Sequence, residues 1–340
     1  MTDAPLRLAL DGAALVHNWQ LLARMSGTAA CGAAIKANGY GLGAAPAAMK
    51  LAAAGCRDFF VATWAEADRL SGFGLSVAVL HGVRAEDMGL ARTCIARPVL
   101  NTPAQIARWK EAGGGACDVM VDTGMNRLGI SPQDLHLLGG LAVDTLHSHL
   151  ACADEDSAMN EAQCAAFAAL AGQTSARRMS LANSAGIGLG SGYHFDLTRP
   201  GIALYGGVPR PELAGIRQVA QPQAQILQRR RVPAGATVGY NATWKAPSET
   251  EVAIIHMGYA DGYLRAWSDR GSASAYDARL PVIGRVSMDL VALDVSAAPD
   301  LAEGDWVALD YALPEAAAAT GLSQYELLTG LGQRFERVWQ

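Results

Sequence analysis

Charged residues are scarce in this sequence, and no stretch of it is strongly basic. They make up 17% of the 340 residues, against 51% hydrophobic residues, and the net charge at pH 7 is −5. Soluble domains usually carry roughly 25% charged residues, so this composition favours a large buried core. Because no run of lysine and arginine could follow a phosphate backbone, nucleic acid is not an expected partner.

Cysteines are also few, and no two of them have the CxxC spacing of metal and redox motifs. All six lie in the N-terminal half: Cys31, Cys56, Cys94, Cys117, Cys152 and Cys164. Most lie in apolar runs, where a free cysteine behaves as a small buried hydrophobe. We therefore predict no metal site, and we expect a reducing compartment, the cytoplasm.

Long apolar runs are missing as well. None is long enough to cross a membrane, so no membrane partner is expected. The first residues, Met1–Pro5, lack the charged start and apolar core of a signal peptide, which again indicates a cytoplasmic protein.

Short apolar runs alternate with Ala-rich periodic segments between about residues 30 and 205. Runs of this kind are typical of strands covered on both faces. The predicted strands are Cys31–Ile35, Asp58–Ala62, Ser76–Leu80, Ile95–Leu100, Asp118–Val121, Val143–Leu150, Arg178–Ala182 and Gly201–Tyr205. Predicted helices between them include Ala65–Leu70, Pro103–Glu111 and Met159–Ala171, with N-caps at Thr102, Ser131 and either Asp156 or Ser157. Eight such units predict an α/β fold, a (β/α)8 TIM-type barrel, and an open doubly wound sheet is the alternative.

The pattern changes after about residue 215. Alternating segments separated by proline and glycine turns predict strands at Gln223–Gln228, Glu251–Ile255, Leu290–Val295 and Trp306–Leu309. We therefore predict a barrel at residues 9–215 and a mainly β C-terminal domain at residues 216–340, to which residues 1–8 add a strand.

Lys36 closes the first predicted strand and is followed by the polar, glycine-containing segment Ala37–Gly41. Lysine is rarely fully buried, because an ammonium is costly to remove from water. The neutral amine forms Schiff bases, so the position suggests covalent amine chemistry. The alternative is a lysine whose ammonium reaches solvent at the strand end.

Polar residues follow other predicted strands too. Asn183 and Ser184 precede a small-residue turn that would suit a phosphate, or they form an ordinary helix cap. Arg199 lies just before Gly201, where the backbone could approach a ligand or form a bulge. Arg127 follows a strand end and could bind a carboxylate with two hydrogen bonds, or it is a solvated surface residue.

Two further segments are ambiguous on their own. His147 and His149 invite a metal interpretation, but two histidines alone make a poor cage, and one of them lining the barrel mouth fits better. Tyr259 lies between a glycine and an Asp-Gly turn, where a ligand could reach it or where it could pack under a hairpin.

Taken together and in order, these segments resemble the alanine racemases, pyridoxal-phosphate enzymes with a fold-type III barrel. The similarity covers essentially the whole chain. The matching segments are Lys36–Gly41, Asp122–Met125, His149, Asn183–Ser184, Arg199 with Gly201–Ala203 and Tyr205–Gly206, Gly258–Gly262, Gly284–Asp289 and Tyr325–Leu328.

The resemblance implies interconversion of L- and D-alanine with pyridoxal 5'-phosphate, supplying D-alanine for peptidoglycan. Lys36 would hold the cofactor covalently and act as one base at Cα, and Tyr259 would be the base on the opposite face. In the family this tyrosine comes from the partner subunit, so a homodimer is expected.

The resemblance also implies the binding residues. Arg199 would contact the pyridine nitrogen, His149 would stack near the ring, and Arg127 and Met288 would lie at the substrate. The residues implied to bind the cofactor are Lys36, Tyr40, His149, Asn183, Ser184, Arg199, Gly201, Ile202 and Tyr325.

Met120 departs from the family pattern. Many members have a carbamylated lysine at this position, ahead of the Asp-Thr-Gly-Met segment, and it positions the substrate-binding arginine. A methionine cannot carry a carbamate, so Arg127 would be oriented by Asn126, by a carboxylate from elsewhere or by a bound anion. Substrate preference is left open by this change. The alternatives are a racemase for serine or lysine, a fold-type III amino-acid decarboxylase, or a non-enzymatic pyridoxal-phosphate-binding protein.

Overall fold

The computed structural model describes residues 4–340, which divide into two compact units. One unit is Ala13–Arg217, and the other is Gln218–Gln340 together with the described residues up to Gly12. Residues 1–3, which belong to the predicted strand 1–8 and to the segment searched for a signal peptide, lie outside the described residues. Among residues 4–340, no helix has the length and apolar character needed to span a bilayer.

The unit Ala13–Arg217 is the (β/α)8 barrel that the sequence predicts. Seven parallel strands follow one another in chain order: Ala33–Ala34, Asp58–Val61, Ser76–Val79, Arg97–Leu100, Cys117–Met120, Val143–His147 and Arg178–Ser180. The eighth strand, Leu197–Thr198, pairs in parallel with Ala30–Cys31, just ahead of the first strand. On its other side, the Asp196 N–H donates to the Met179 carbonyl at 3.0 Å, so the ring of strands closes.

Helices and short turns connect these strands. The α-helices are Gly12–Met25, Ala44–Ala54, Trp64–Asp68, Met88–Ala91, Pro103–Glu111, Ala158–Ala168 and Ser184–Gly188, and the 3-10 turns are Ser71–Phe73, Pro132–Leu138, Ser191–Tyr193, Ile202–Tyr205 and Pro211–Leu213. As predicted, Thr102 caps a helix, because its hydroxyl accepts from the Gln105 N–H at 3.1 Å, and Ser157 caps another. Ser131 also lies at the predicted N-cap position, with Pro132 in the first turn, but the element that follows is a 3-10 turn and the Ser131 side chain makes no cap bond.

The prediction of a strand at Gly201–Tyr205 is wrong. Ile202–Tyr205 is a 3-10 turn, and the strand of this repeat is the preceding Leu197–Thr198. A short buried apolar run does not distinguish a strand from a turn of helix by its letters alone. The run is apolar because Ile202, Ala203, Leu204 and Tyr205 are all buried.

The other unit is a β domain with a closed barrel. Its eight-stranded sheet has the order Thr250–His256, Leu290–Asp294, Ala278–Ile283, Ser272–Ala275, Trp306–Leu309, Ala220–Val232, Leu6–Leu10, Glu336–Trp339. The long strand Ala220–Val232 also pairs with Thr250–His256, which joins six of the strands into a ring. The remaining elements are the ribbon Thr237–Val238 with Trp244–Lys245, the helices Leu313–Thr320 and Gln324–Thr329, and the 3-10 turns Tyr240–Ala242, Tyr259–Asp261 and Arg265–Trp267.

An ion-pair network joins the amino ends of the (β/α)8 strands. Arg97 Nε lies 2.9 Å from Asp118 Oδ1, and Arg178 Nη2 lies 2.8 Å from Asp58 Oδ1 and 2.7 Å from Asp144 Oδ2. These charges begin five different strands. Because the carboxyl ends of the strands are the functional end of such barrels, this network belongs to the opposite, structural end.

His147 lies in the barrel core next to this network. Its side chain is fully buried, Nε2 lies 3.2 Å from Asp118 Oδ2, and the ring packs edge-on against Phe60. Burial is the largest cause that lowers the pKa of His147, and the hydrogen bond to Asp118 opposes it. The imidazole is therefore neutral in the folded protein at neutral pH.

We expect this buried histidine to make the barrel acid-sensitive. The unfolded chain binds a proton at His147 near the usual pKa of about 6.5, whereas the folded chain does so only at lower pH. The unfolded state then binds more protons, so the free energy of unfolding should fall as pH drops below about 6.5. Urea unfolding at several pH values should show that the free energy of unfolding depends less steeply on pH in His147→Gln than in the wild-type protein. The control His136→Gln changes an exposed histidine and should keep the wild-type pH dependence. An equal pH dependence in both variants would contradict a role of His147 in acid sensitivity.

Candidate active site

Lys36 directly follows the first barrel strand and is half-buried. Within residues 4–340, no carboxylate forms an ion pair with its ammonium. Burial is the largest cause that lowers the pKa of Lys36; the positive charge of Arg127 adds to it, and Glu66 acts in the opposite direction. The amine therefore loses its proton more easily than a solvated lysine, which favours its use as a nucleophile or base.

The chain turns left-handed immediately after Lys36. Ala37, Asn38, Gly39, Tyr40 and Gly41 have φ values of 52°, 54°, 64°, 54° and 89°. For the three residues that are not glycine, this conformation costs about 1–2 kcal/mol each. The turn is closed by the Gly41 N–H, which donates to the Ala37 carbonyl at 2.8 Å, and by the Asn38 amide oxygen, which accepts from the Ala44 N–H at 3.0 Å.

Glu66 holds this turn from the helix Trp64–Asp68, which follows the neighbouring strand, and sequence reasoning missed it. Its Oε1 accepts from the Ala37 N–H at 2.6 Å, and its Oε2 accepts from the Ala62 and Thr63 N–H groups at 2.7 and 3.2 Å. Thr63 Oγ1 in turn accepts from the Glu66 N–H, which completes a capping box. The sequence signal was present, because Thr-x-x-Glu directly after a strand is a helix-start pattern.

Ser184, Gly201 and Tyr40 lie together at the carboxyl end of the barrel. Ser184 Oγ accepts from the Gly201 N–H at 2.8 Å and from the Ala203 N–H at 3.2 Å, which leaves its hydroxyl proton available to another acceptor. A Cβ at Gly201 would lie 2.1 Å from the Tyr40 hydroxyl oxygen, so any side chain there would displace Tyr40. Ile202 begins the adjacent 3-10 turn, where the first N–H groups have no partner within the turn.

Asn183 acts as a helix cap. Its Oδ1 accepts from the Gly186 N–H at 2.8 Å, so its side chain shapes the turn that presents Ser184. Tyr205 packs against Tyr40, with the ring centroids 4.8 Å apart, and its hydroxyl donates to the Ala34 carbonyl at 3.0 Å. Sequence reasoning quoted Tyr205 within a motif but did not assign it a place in the site.

Arg199 is buried and fixed by the ends of two strands. Its Nη2 donates to the Ser148 carbonyl at 2.7 Å, and its Nη1 donates to the Ser180 hydroxyl. The Ser148 hydroxyl also bonds the Thr123 hydroxyl at 2.7 Å, which ties in the loop that carries Arg127. Burial lowers the pKa of Arg199 to about 10, so the guanidinium remains charged at neutral pH.

His149 lies within the electrostatic field of the other candidate groups. Burial is the main cause that lowers the pKa of His149 to about 3, with further contributions from Arg199, Arg127 and Lys36. The imidazole is therefore neutral at physiological pH. The structure thus brings four residues singled out from the sequence close enough to influence one another's charge.

Arg127 is exposed, and Met120 is buried in the strand that leads to it. Of the proposed orienting groups, Asn126 uses its amide to close its own turn, donating to the Gly124 carbonyl at 3.3 Å. No acidic side chain among residues 4–340 pairs with Arg127. An anion that orients this arginine stays a prediction.

In the β domain, Tyr259 and Met288 belong to adjoining backbone segments. The Tyr259 N–H donates to the Ser287 carbonyl at 3.0 Å, and the Ala260 N–H donates to the Met288 carbonyl at 3.1 Å. A Cβ at Gly258 would lie 2.1 Å from the Met288 carbonyl oxygen, so the two segments can meet only because Gly258 has no side chain.

The Tyr259 turn is anchored by a buried carboxylate. Asp261 is fully buried, accepts from the Gly258 N–H at 3.0 Å and forms two charge-assisted bonds of 2.6 and 2.7 Å with Arg334. The guanidinium of Arg265 lies 5.7 Å from the centre of the Tyr259 ring and brings a positive charge to it. Sequence reasoning missed both arginines, because neither lies in a motif that marks its partner.

Tyr325 lies in the short helix Gln324–Thr329, half-exposed, in the same unit. The chain that leaves this helix abuts the Tyr259 turn, since a Cβ at Gly262 would lie 2.3 Å from the Gly330 carbonyl oxygen. The β domain therefore assembles its three candidate residues on neighbouring segments.

Barrel enzymes carry their reacting groups at the carboxyl ends of the strands. Here that end presents an amine that readily gives up its charge, and the β domain presents a supported tyrosine. An amine and a phenol can each take up and return a proton, so together they suit the two-base chemistry of an amino-acid racemase. Residues 10–209 match the family model "Alanine racemase, N-terminal domain", and residues 219–339 match "Alanine racemase, C-terminal domain". The chain belongs to the alanine racemase family.

Individual relatives show the same similarity. The alanine racemase of Acidiphilium cryptum is 43% identical over 350 residues, covering 97% of this chain and 98% of that protein. The crystal structure of alanine racemase from Bartonella henselae with covalently bound pyridoxal phosphate superposes with a TM-score of 0.89 at 34% identity, covering 99% and 100% of the two chains. The biosynthetic alanine racemase of Pseudomonas aeruginosa gives a TM-score of 0.90 at 32% identity, with the same coverage.

Proposed function

We propose that this chain racemises alanine with pyridoxal 5'-phosphate bound at Lys36. The observation that carries the proposal is the half-buried Lys36 at the functional end of the barrel, which has a lowered pKa and no ion-pair partner among residues 4–340. Family membership and the pyridoxal phosphate of the B. henselae structure support the same assignment.

The residues at the barrel mouth fit this cofactor. The Ser184 and Tyr40 hydroxyls and the Ile202 N–H would hold its phosphate, with Tyr325 as a further hydroxyl, and Gly201 leaves the room that a side chain would fill. When bound, the cofactor supplies an electron sink that makes the Cα–H of an attached amino acid acidic.

Two bases would act on the two faces of Cα. Lys36, the amine released once substrate is attached, would remove or return the proton on one face, and Tyr259 would do so on the other. Racemisation needs both, because a proton that leaves one face must return to the opposite one. Arg265 beside the Tyr259 ring and Asp261 beneath its turn support the placement of this phenol.

The arginines and His149 would position the reactants. Arg199 would face the pyridine nitrogen, and as a charged guanidinium it would keep that nitrogen unprotonated. The neutral His149 would pack near the ring, and Arg127 would bind the substrate carboxylate in a bidentate manner, with Met288 beside it. This division of roles predicts that Arg127 affects substrate affinity more than cofactor binding.

The active form would be a homodimer in which each site takes Tyr259 from the partner subunit. Mixing two inactive variants, Lys36→Ala and Tyr259→Phe, tests this, because a mixed dimer would then contain one complete site. We expect mixing to restore activity. If both groups of a site came from one chain, each chain would keep its own defect and activity would stay absent.

The product would be D-alanine for peptidoglycan, made in the cytoplasm. The biosynthetic P. aeruginosa neighbour supports this use, and six cysteines without a disulfide fit a reducing compartment. Rescue of a D-alanine-requiring bacterium by the gene would test it, with the Lys36→Ala gene as the control.

An isotope experiment decides between the candidate reactions. The purified chain with pyridoxal phosphate should incorporate deuterium at Cα of L-alanine in deuterated water while optical rotation is lost, and Lys36→Ala should do neither. Release of carbon dioxide would instead indicate a decarboxylase. A racemase of wider preference is the second candidate, because Met120 replaces the lysine that orients Arg127 in many relatives. The same assay on serine and lysine separates these two candidates.

A further inference from the structure

We propose that Glu66 is a positioning residue for Lys36: its carboxylate fixes the left-handed turn that carries the amine and brings a negative charge to its surroundings. The inference rests on the proposed role of Lys36 and adds a residue that no motif assigns to the site. Three backbone contacts and the conformation of the turn carry it.

The first argument is geometric. The Glu66 carboxylate accepts hydrogen bonds from three backbone N–H groups. The shortest, at 2.6 Å, comes from Ala37, the residue next to Lys36. Hydrogen bonds to a carboxylate are stronger than those between neutral groups. Because Ala62 and Thr63 follow the second barrel strand, the carboxylate locks the Lys36 backbone to the strand beside it.

The second argument is the strain in the turn. Ala37, Asn38 and Tyr40 all have positive φ without being glycine. Such a conformation persists only where its surroundings enforce it. The Ala37 N–H lies at the start of the turn and donates to Glu66. Loss of the carboxylate would therefore release the turn at the residue next to Lys36.

The third argument is the set of charges around the amine. Arg127 and Arg199 are positive, His149 is neutral at physiological pH, and Glu66 is negative. Glu66 therefore counteracts the arginines, which would otherwise shift the amine further toward its neutral form. The turn and the titration of Lys36 are thus linked through one side chain.

Titration of the amine in the cofactor-free protein tests this directly. Trinitrobenzenesulfonate reacts with neutral amines, and peptide mapping reports the Lys36 rate at each pH. In Glu66→Gln the midpoint of this rate should move to lower pH, since the negative charge of Glu66 raises the pKa of Lys36. Glu66→Asp, which keeps the charge but shortens the reach, should keep the midpoint and slow pyridoxal-phosphate binding by about 10- to 100-fold through misplacement.

Thr63→Ala is the matched control. It removes the hydroxyl half of the same capping box while the carboxylate still binds Ala37. It should lower thermal stability and leave both the midpoint and the cofactor-binding rate unchanged.

Two results would overturn the inference: a Glu66→Gln midpoint equal to that of Thr63→Ala, or a Glu66→Asp variant that binds cofactor at the wild-type rate. A wild-type chain that binds no pyridoxal phosphate would contradict the proposed function instead, and the amine titration would still decide whether Glu66 sets the charge of Lys36.

Discussion

Tyr259→Phe should lower the rate of alanine racemisation by about 10²- to 10⁴-fold, the usual contribution of a general acid–base group. The change removes one hydroxyl and keeps the ring, so the turn built on Gly258 and Asp261 should stay intact. Lys36 would still serve one face of Cα. We therefore expect deuterium exchange at Cα to survive for one enantiomer of alanine and to be lost for the other.

Proton NMR of each enantiomer in deuterated water measures this asymmetry. Tyr193→Phe, which removes a hydroxyl from a tyrosine on a barrel loop, is the control and should racemise at the wild-type rate. Equal slowing of exchange for both enantiomers would mean that Tyr259 positions the substrate and is not one of two bases.

Asp118→Ala should lower the free energy of unfolding by about 3–5 kcal/mol, because Arg97 and His147 lose the buried carboxylate that they contact. The carboxylate is fully buried, pairs with Arg97 at 2.9 Å and contacts His147 at 3.2 Å. Without it, Arg97 would keep only its longer contacts with Asp58 and Asp144, at 3.6 and 3.7 Å, and His147 Nε2 would lose its hydrogen-bond partner.

Urea unfolding followed by tryptophan fluorescence measures the change. Glu249→Ala removes an acid whose ion pair with Arg231, at 3.6 Å, is exposed, and it should cost at most about 1 kcal/mol. Because the network lies at the amino ends of the strands, the surviving folded Asp118→Ala protein should retain its substrate affinity. Similar losses for the two variants would show that the network is solvated and contributes little.

Much of this molecule could be predicted from its sequence because its strong signals are local. Seven of the eight barrel strands are apolar runs that stay within a few residues of their predicted bounds. The order of short motifs along the chain predicted the family, since each motif keeps its glycines and polar residues at fixed spacing. Gly201 and Gly258 show why, because a side chain at either position would meet atoms about 2.1 Å away.

Other features could not be predicted because they depend on distant contacts. The apolar residues of Gly201–Tyr205 indicate that the segment is buried, but burial alone does not distinguish a strand from a turn. The left-handed run after Lys36 includes an alanine and a tyrosine, whose intrinsic preferences oppose it. The hydrogen bond from Ala37 to Glu66, in the helix Trp64–Asp68, helps to impose it. Arg334 reaches Asp261, 73 residues away, through the tertiary fold, so no spacing reveals this pair.

The β-domain sheet has a consequence for the order of events during synthesis. Leu6–Leu10 lies between Ala220–Val232 and Glu336–Trp339 and pairs with both. A ribosome releases this early strand long before either neighbour exists, so it must wait unpaired while more than two hundred residues follow. Ala13–Arg217 contains every strand of its own ring and can fold as a unit in that interval. Cotranslational folding should therefore begin with the (β/α)8 barrel, and the β domain, which carries Tyr259, should be the last part to fold.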